Sequence, residues 1–573
     1  MNVRPGHALA ALLLAGAGVA AGLYLRDQER IALTAAPSAR FDVRLLEPVS
    51  CLDTLQFAVA SGRARELTLE LLAPAAGKSP ARVLYSTTVR ARTGSTPFTL
   101  AGINLGAGRY DYRLSTTGLL RGRRVIATGA LAAELRRVDS SNISRTLQHN
   151  VDVVDGETVL THSDLTLPGE GLDDGLQRTW SSTLAGREGE MGKGWTHNFD
   201  HYVRKNACGH AVVYSASSSL WFTPSAGGGG RYLPPRGYNS TVTEDKDGFV
   251  FYALNGTRYF YRHPDHGRFR LTAIEDINGN QVRLSYATRE GREVLSEVLR
   301  ASGEKVTFHY RSRAPLRLDR VSDSIGNVAE YYYDAQDNLS SVRNPSSEAS
   351  YEYRYDSRDA RGAPLLTEVM ATPPAAPREH LLLAYEEGIV RYAPGQEVRY
   401  TRVHRLQDGA TQPIEFRYNE GNPIVRGEDG GTRITFGEDS WLSYRYTTPY
   451  GLITTSTDEQ GVTDRTAWDP EILRVLVQER GDGSVQRYRY DAYANVVEKT
   501  EDGETSYFRF FAPGAFRNPH ITNRVRYELR PDGLLITYHY DDVGNLVNRT
   551  GTPAGALPPE AAAVESDASV SRM

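Results

Sequence analysis

The sequence predicts an all-β protein: an N-terminal immunoglobulin-like β-sandwich followed by a long antiparallel β-sheet built from repeats. Three observations predict it. Short alternating strands fill residues 41–138, among them Phe41-Asp42-Val43-Arg44-Leu45, Leu67-Thr68-Leu69-Glu70-Leu71 and Gly108-Arg109-Tyr110-Asp111-Tyr112-Arg113-Leu114. Their length, and the roughly hundred residues they occupy, suit a sandwich. One turn pattern then recurs: Asp276-Ile277-Asn278-Gly279-Asn280, Asp323-Ser324-Ile325-Gly326-Asn327 and Asp541-Asp542-Val543-Gly544-Asn545. Finally, Tyr outnumbers Phe by 33 to 16. That ratio suits sheets whose aromatic face meets water, because Tyr buries its ring and keeps its hydroxyl wet.

Composition narrows the function classes. At 573 residues the chain exceeds one domain. A formal net charge of −4 leaves no basic footprint for nucleic acid. The two cysteines, Cys51 and Cys208, exclude a disulfide scaffold and an all-Cys metal site.

Residues 1–30 read as a signal peptide or membrane anchor. The apolar run from Ala8 to Leu25 ends abruptly at Arg26-Asp27-Gln28-Glu29-Arg30. It is long for a signal core and just long enough to span a bilayer, and Val19-Ala20-Ala21 offers small residues for cleavage. Either reading places the bulk in the periplasm or outside the cell, with residues 8–25 holding it to the inner membrane if uncleaved. In such a compartment Cys51 and Cys208 either pair, bridging the sandwich to the front of the sheet, or stay as two buried thiols. An Ala/Pro/Ser linker covers 31–40.

The repeat has a physical logic. Asp at the first turn position accepts a hydrogen bond from the backbone two residues on, and Gly at the fourth takes positive φ without a Cβ penalty. A type I turn followed by a left-handed residue closes a bulged hairpin. Worn copies stand at Asp334-Ala335-Gln336-Asp337-Asn338 and Asp491-Ala492-Tyr493-Ala494-Asn495. Ala tolerates the left-handed region poorly, so the turn at Ala494 is expected to differ. Before the turns stand Tyr331-Tyr332-Tyr333, Tyr488-Arg489-Tyr490 and Tyr538-His539-Tyr540; after them Leu339, Val496 and Leu546 restart a strand. The outer Tyr of each triplet share a face.

These residues resemble the RHS/YD repeats, whose core is Tyr-Asp-x-x-Gly-Asn-Leu; Tyr540-Asp541 through Leu546 matches it fully. A second signature, Arg178-Thr179-Trp180-Ser181-Ser182 followed by Gly192-Lys193-Gly194-Trp195, resembles the conserved domain at the front of RHS shells. Gly192 and Gly194 would let the chain bend closely around Trp195, and Trp180 and Trp195 would anchor the first coil. The resemblance implies a sheet that spirals into a shell, with a front domain at 147–270 and repeats at 271–550; the small residues, prolines and acids of 551–573 cannot bury a core, and disorder is expected there. Known members use such shells to enclose toxins or as extracellular modules of cell-contact proteins. One departure matters. Many RHS shells end in an Asp-Pro-x-Gly-Leu motif with aspartyl protease activity, whereas here Asp469-Pro470 is followed by Glu471-Ile472-Leu473. Neither the protease nor a toxin activity carries over.

Chemistry is otherwise sparse. His197 and His201 stand four apart, with His210 and Asp200 near, but the alternating context argues for loop and strand rather than a metal-binding helix. Glu244-Asp245-Lys246-Asp247-Gly248 reads as an Asp-Gly hairpin turn rather than a Ca²⁺ loop. There is no Ser nucleophile elbow, phosphate-cradling Gly loop or zinc spacing. No cofactor or metal is expected. The expectation is a non-enzymatic envelope or secreted protein acting as scaffold, binding module or partial shell. The alternatives are a toxin-delivery component with its cargo on another chain and a carbohydrate-active enzyme with two carboxylates about 5–10 Å apart in a cleft. At about 12 residues per strand and turn and about 4.8 Å per strand step, the ribbon makes about one circuit. That leaves an open concavity lined by Tyr331, Tyr333, Tyr488, Tyr490, Tyr538 and Tyr540, for a polypeptide partner at the free edge near Tyr538–Leu546 or a cell-surface glycan.

Overall fold

The computed structural model describes strands between 41 and 133 and, with short gaps, residues 146–558. Cys51, Cys208, residues 1–40 and residues 559–573 lie outside the described residues, as do the expectations that rest on them. The described elements are β-strands, relieved only by short 3-10 turns such as Ser182–Leu184. No helix among the described residues is long and apolar enough to cross a membrane.

The first strands are β1 (Phe41–Leu45), β2 (Thr54–Ser61), β3 (Arg65–Leu72), β4 (Val83–Ala91), β5 (Gly94–Ala101), β6 (Gly108–Gly118) and β7 (Gly122–Ala133). They split into two antiparallel sheets, β1-β2-β5 and β4-β3-β6-β7. This division is that of an immunoglobulin-like sandwich. Alternation puts Leu67, Leu69 and Leu71 on one face of β3, where Leu69 lies opposite Leu114 and Leu71 opposite Tyr112, all buried. β4 also pairs at Tyr85 and Ser86 with the strand Gln396–Asp408, tying the sandwich sheet to the next one.

The long sheet begins at His201–Lys205, well before the repeat text at 271. Its first strands close on themselves, because His201–Lys205 pairs both with Ala211–Ser215 and with Arg268–Glu275. Sequence reading missed this ring because it carries apolar alternation without the Asp-Gly-Asn turns. From Arg268–Glu275 the sheet proceeds, hairpin by hairpin, to Leu546–Pro553. It then passes over its own start. Asn545 Nδ2 donates to Asn278 Oδ1 at 2.5 Å, Arg524 Nη2 donates to the Asn255 carbonyl at 3.3 Å, and the Tyr252 and His520 rings stand 4.1 Å apart. The hairpin tips of the second coil thus rest on those of the first, so the ribbon runs past the single circuit expected from strand counting.

The turns repeat atom for atom. Asp276 Oδ1 accepts the amides of Asn278 and Asn280 at 2.8 Å each, and Asn280 Nδ2 donates to Asp276 Oδ2 at 2.7 Å. The same set recurs at Asp323, Asp334, Asp491 and Asp541. The Asn at the fifth position therefore clamps the carboxylate. Gly326 and Gly544 sit at φ 102° and 100°. Ala494 adopts φ 55° with every bond of the turn intact, so the expected difference does not arise: the Asp491–Asn495 clamp holds the left-handed residue in place.

Inside the circuit lies the front segment, 146–200. Its small sheet joins Val159–Leu165, Leu176–Ser181 and Trp195–His197. Trp180, Trp195, Leu160 and Leu176 pack in one core with Leu271, Leu318, Tyr331 and Val342 of the long sheet. Val151 and Val153 fill a second core with Val403, Phe416 and Ile434. The inner face is thus covered from about Val203 to Tyr444. The strands from Ile453–Asp458 to Val496–Glu501 have no fully buried residue.

Candidate functional site

The best-defined functional geometry is the junction between the front segment and the first coil. It has two parts. The first is a buried ion pair in an aromatic box. Arg178 and Asp164 pair directly, with side chains 0% and 1% exposed. Arg178 Nη2 donates to Tyr353 Oη at 2.5 Å, and Tyr331 Oη donates to Asp164 Oδ2 at 2.8 Å. The guanidinium lies 4.6 Å from the Tyr351 ring centroid and 5.6 Å from that of Trp195. A charge this deep persists only when paired and bonded. Burial, then the nearby Arg178, holds His162 down to about 3, so its ring is neutral.

The second part is a cleft of about 750 Å³ between the loop 187–200 and the strands Arg258–Asp265, Arg268–Glu275 and Arg292–Leu299. Glu190 and Asp200 line it together. Burial pushes the Glu190 carboxyl up to about 7, while its bond to Tyr310 works the other way. Burial is the largest influence on Asp200 and opposes its ionisation, but Arg187, which donates to Oδ2 at 3.0 Å, together with His197, Arg270 and Arg268, holds the carboxyl below its usual range. Two carboxyls pushed apart in this way have the electrostatics of an acid and a base. Their bonds, however, point into the junction: Tyr310 Oη lies 2.7 Å from Glu190 Oε2, and Asp200 is tied to Arg187. The first bond joins the front segment to the sheet, and the second braces the front segment itself.

The signature residues serve the same junction. Gly194, at φ 79°, lies so close to Trp180 that a Cβ there would stand 2.5 Å from Trp180 Nε1. Gly192, at φ 92°, abuts the backbone of Asp337 and Leu339 in a worn repeat turn. The glycines therefore admit Trp180 and the sheet backbone, rather than only bending around Trp195. Trp195 Nε1 donates to Tyr355 Oη at 2.8 Å.

The aromatic residues read as an accessible lining divide. Tyr331 is 3% exposed and bonded to Asp164, and Tyr333 donates to the Leu318 carbonyl, so both belong to the junction and are closed to a ligand by the front segment. Tyr488, Tyr490, Tyr538 and Tyr540 are half-buried. Tyr488 donates to Gln486 Oε1 at 2.6 Å, Tyr490 to the Val475 carbonyl at 2.7 Å and Tyr538 to Glu528 Oε2 at 2.5 Å, while Tyr540 packs against Phe511 and Phe516. His197 and His201 stand on strands, and burial lowers each to about 4. Glu244 pairs with Lys205 and Asp245 with Arg262, at a hairpin turn as read. Among the described residues no three His, Cys, Asp or Glu side chains gather as a metal set. Sequence reasoning missed Asp164, Glu190, Tyr310 and Tyr353, because partners 120 to 175 residues apart leave no local pattern.

Comparison with known proteins adds a partial frame. Residues 148–220 match a family described as a domain of unknown function, DUF6531, which spans the front segment and the first strands of the ring. No curated protein sequence matches the chain. Among solved structures, a crystal structure of TcdB2-TccC3-Cdc42 is similar at 11% identity and TM-score 0.32, over 69% of this chain and 23% of that one. A crystal structure of TcdB2-TccC3 shows 11% identity and TM-score 0.31 over 91% and 27%. The Photorhabdus luminescens Tc holotoxin pore with the TccC3-D651A mutation shows 11% and 0.17 over 69% and 26%. This chain spans 23% to 27% of those chains.

Proposed function

We propose that the chain is a non-enzymatic scaffold of the RHS/YD-repeat type, a partial shell filled at one end by its own front segment and joined at the other to a second polypeptide. One observation carries this reading. The last strand, Leu546–Pro553, pairs with Leu534–Tyr540 on one side and with no other strand among the described residues, and all its residues are exposed. Leu546 and Val547 are 53% and 69% exposed. A long unguarded edge offers amides and carbonyls to an incoming strand. The partner's chemistry is that of an extended strand adding to the sheet.

The test is co-expression with the polypeptides encoded beside this chain, followed by sizing and cross-linking from Asn548. A stable complex, lost when Arg549→Pro removes an amide that points away from the inner strand, supports the reading. A complex that survives Arg549→Pro, or a chain that binds only glycan through Tyr488 and Tyr490, overturns it.

A further inference from the structure

The hydroxyl of Tyr310 carries one hydrogen and faces two acceptors. Glu190 Oε2 lies 2.7 Å away and the Leu295 carbonyl oxygen 2.9 Å away. A hydroxyl fully satisfies one acceptor with its own proton and can accept a bond from a second donor. The neighbouring junction shows that arrangement with a permanent donor: Trp195 Nε1–H donates to Tyr355 Oη at 2.8 Å, and Tyr355 donates onward to the Leu339 carbonyl at 2.9 Å. In the Tyr310 position the group that stands where the indole N–H would be is the Glu190 carboxyl.

We propose that Glu190 is a proton-operated latch: protonated, it donates to Tyr310 and fastens the front segment to the first coil, and ionised, it competes with Leu295 for the single Tyr310 proton and loosens that segment. In the protonated form every group is satisfied, as Glu190 donates to Tyr310 and Tyr310 to Leu295. In the ionised form the carboxylate and the Leu295 carbonyl have one hydroxyl proton between them.

The surroundings fit the role. Facing Glu190 are Arg187 and Asp200 from its own loop, Arg270 from Arg268–Glu275, Tyr286 from Gln281–Arg289, and Tyr310 and Tyr333 from the next strands. Arg187 is committed to Asp200 and Arg270 to Asp265, so neither guanidinium bonds to Glu190. Burial pushes its carboxyl up to about 7. The backbone is tied at the same residue, since the Leu318 amide donates to the Glu190 carbonyl at 2.8 Å. The cleft lets the proton exchange without unfolding.

The sign follows from linkage. The folded pKa is raised above the unfolded value of about 4.3, so the folded state holds a proton the open state loses, and the latch weakens as pH rises from there through about 7. The experiment is amide hydrogen exchange of residues 187–195 in the full chain, corrected for intrinsic rates. The ratio of the wild-type opening equilibrium to that of Glu190→Gln, which keeps an N–H donor for Tyr310 and shares the same histidines, should rise by up to about tenfold per pH unit between about pH 5 and 7 and then level off. A ratio that stays flat overturns the latch. Should that variant fail to fold, infrared titration of the wild type decides. A protonated carboxyl band that persists to near pH 7 and moves in Tyr310→Phe supports the latch; no such band overturns it.

Discussion

The hydroxyl of Tyr333 donates to the carbonyl oxygen of Leu318 at 2.6 Å. That bond is one rung of a ladder. Tyr286 donates to Leu271, Tyr310 to Leu295, Tyr355 to Leu339, Tyr385 to Leu366, Tyr418 to Val403 and Tyr490 to Val475. Trp468 fills the same slot through Nε1, which donates to the Ile453 carbonyl at 2.7 Å. Tyr333 and Tyr490 each sit where the strand register shifts at a bulge. A bulge interrupts the ladder of backbone bonds. The phenol reaches back across the sheet to a strand carbonyl, which is why the repeat uses Tyr where Phe would fill the same space. The hydroxyls read as wet in the sequence are therefore spent inside the sheet.

Tyr333→Phe should destabilise the chain by about 1–3 kcal/mol, because it strips the donor from a carbonyl beside the core. Tyr490→Phe lies in the uncovered coil, where water replaces the hydroxyl, and should cost under about 1 kcal/mol. Urea unfolding of both variants checks the order; an equal cost at the two sites would contradict the ladder's dependence on the front segment.

Ala494→Gly should stabilise the chain by about 0.5–1 kcal/mol, since Ala494 holds φ 55° and glycine relieves the left-handed strain more than it costs in unfolded-state entropy. Gly326→Ala, at φ 102° with no neighbour within 4 Å of the added carbon, should lose about 1 kcal/mol or more from strain alone. Thermal melts of the two variants should move in opposite directions.

Arg178→Met should cost about 3–5 kcal/mol, because Asp164 is left buried opposite a neutral chain. The double change Asp164→Leu with Arg178→Met should recover most of that loss. Recovery absent in the double variant would mean that the aromatic box around the guanidinium, rather than the ion pair, holds the junction.

Acid should loosen the junction between the front segment and the long sheet through its histidines. His162 is held down to about 3 and His197 and His201 to about 4, against 6.5 for an open ring. Each contributes stability that is present above 6.5 and lost as pH falls through that window towards the folded value. Unfolding free energy measured down this range should fall with a slope approaching about three protons, and His197→Asn should remove about one of them. This window runs opposite in sign to that of Glu190 and overlaps it, so stability should peak near pH 6.5, where the histidine contribution is complete.

The sequence by itself determined the local grammar. Asp and Gly at fixed offsets dictated each turn, alternation dictated each strand, and the apolar restart after each turn dictated the hairpins, because all of these act within a few residues. It also marked Trp180, Gly192, Gly194 and Trp195 as a unit. What it could not determine was which face of the sheet would be covered. Tyr331 and Tyr488 occupy the same place in their repeats, yet one is sealed on Asp164 and the other bonds to its own strand neighbour. The difference is made by the front segment, which lies inside the first circuit and stops short of the second. Asp164 and Arg178 reach Tyr331 and Tyr353 across 167 and 175 residues, and Asn278 meets Asn545 across 267. Such pairings follow from how far the sheet curves per strand, a sum of small twists and bulges that only the assembled structure fixes.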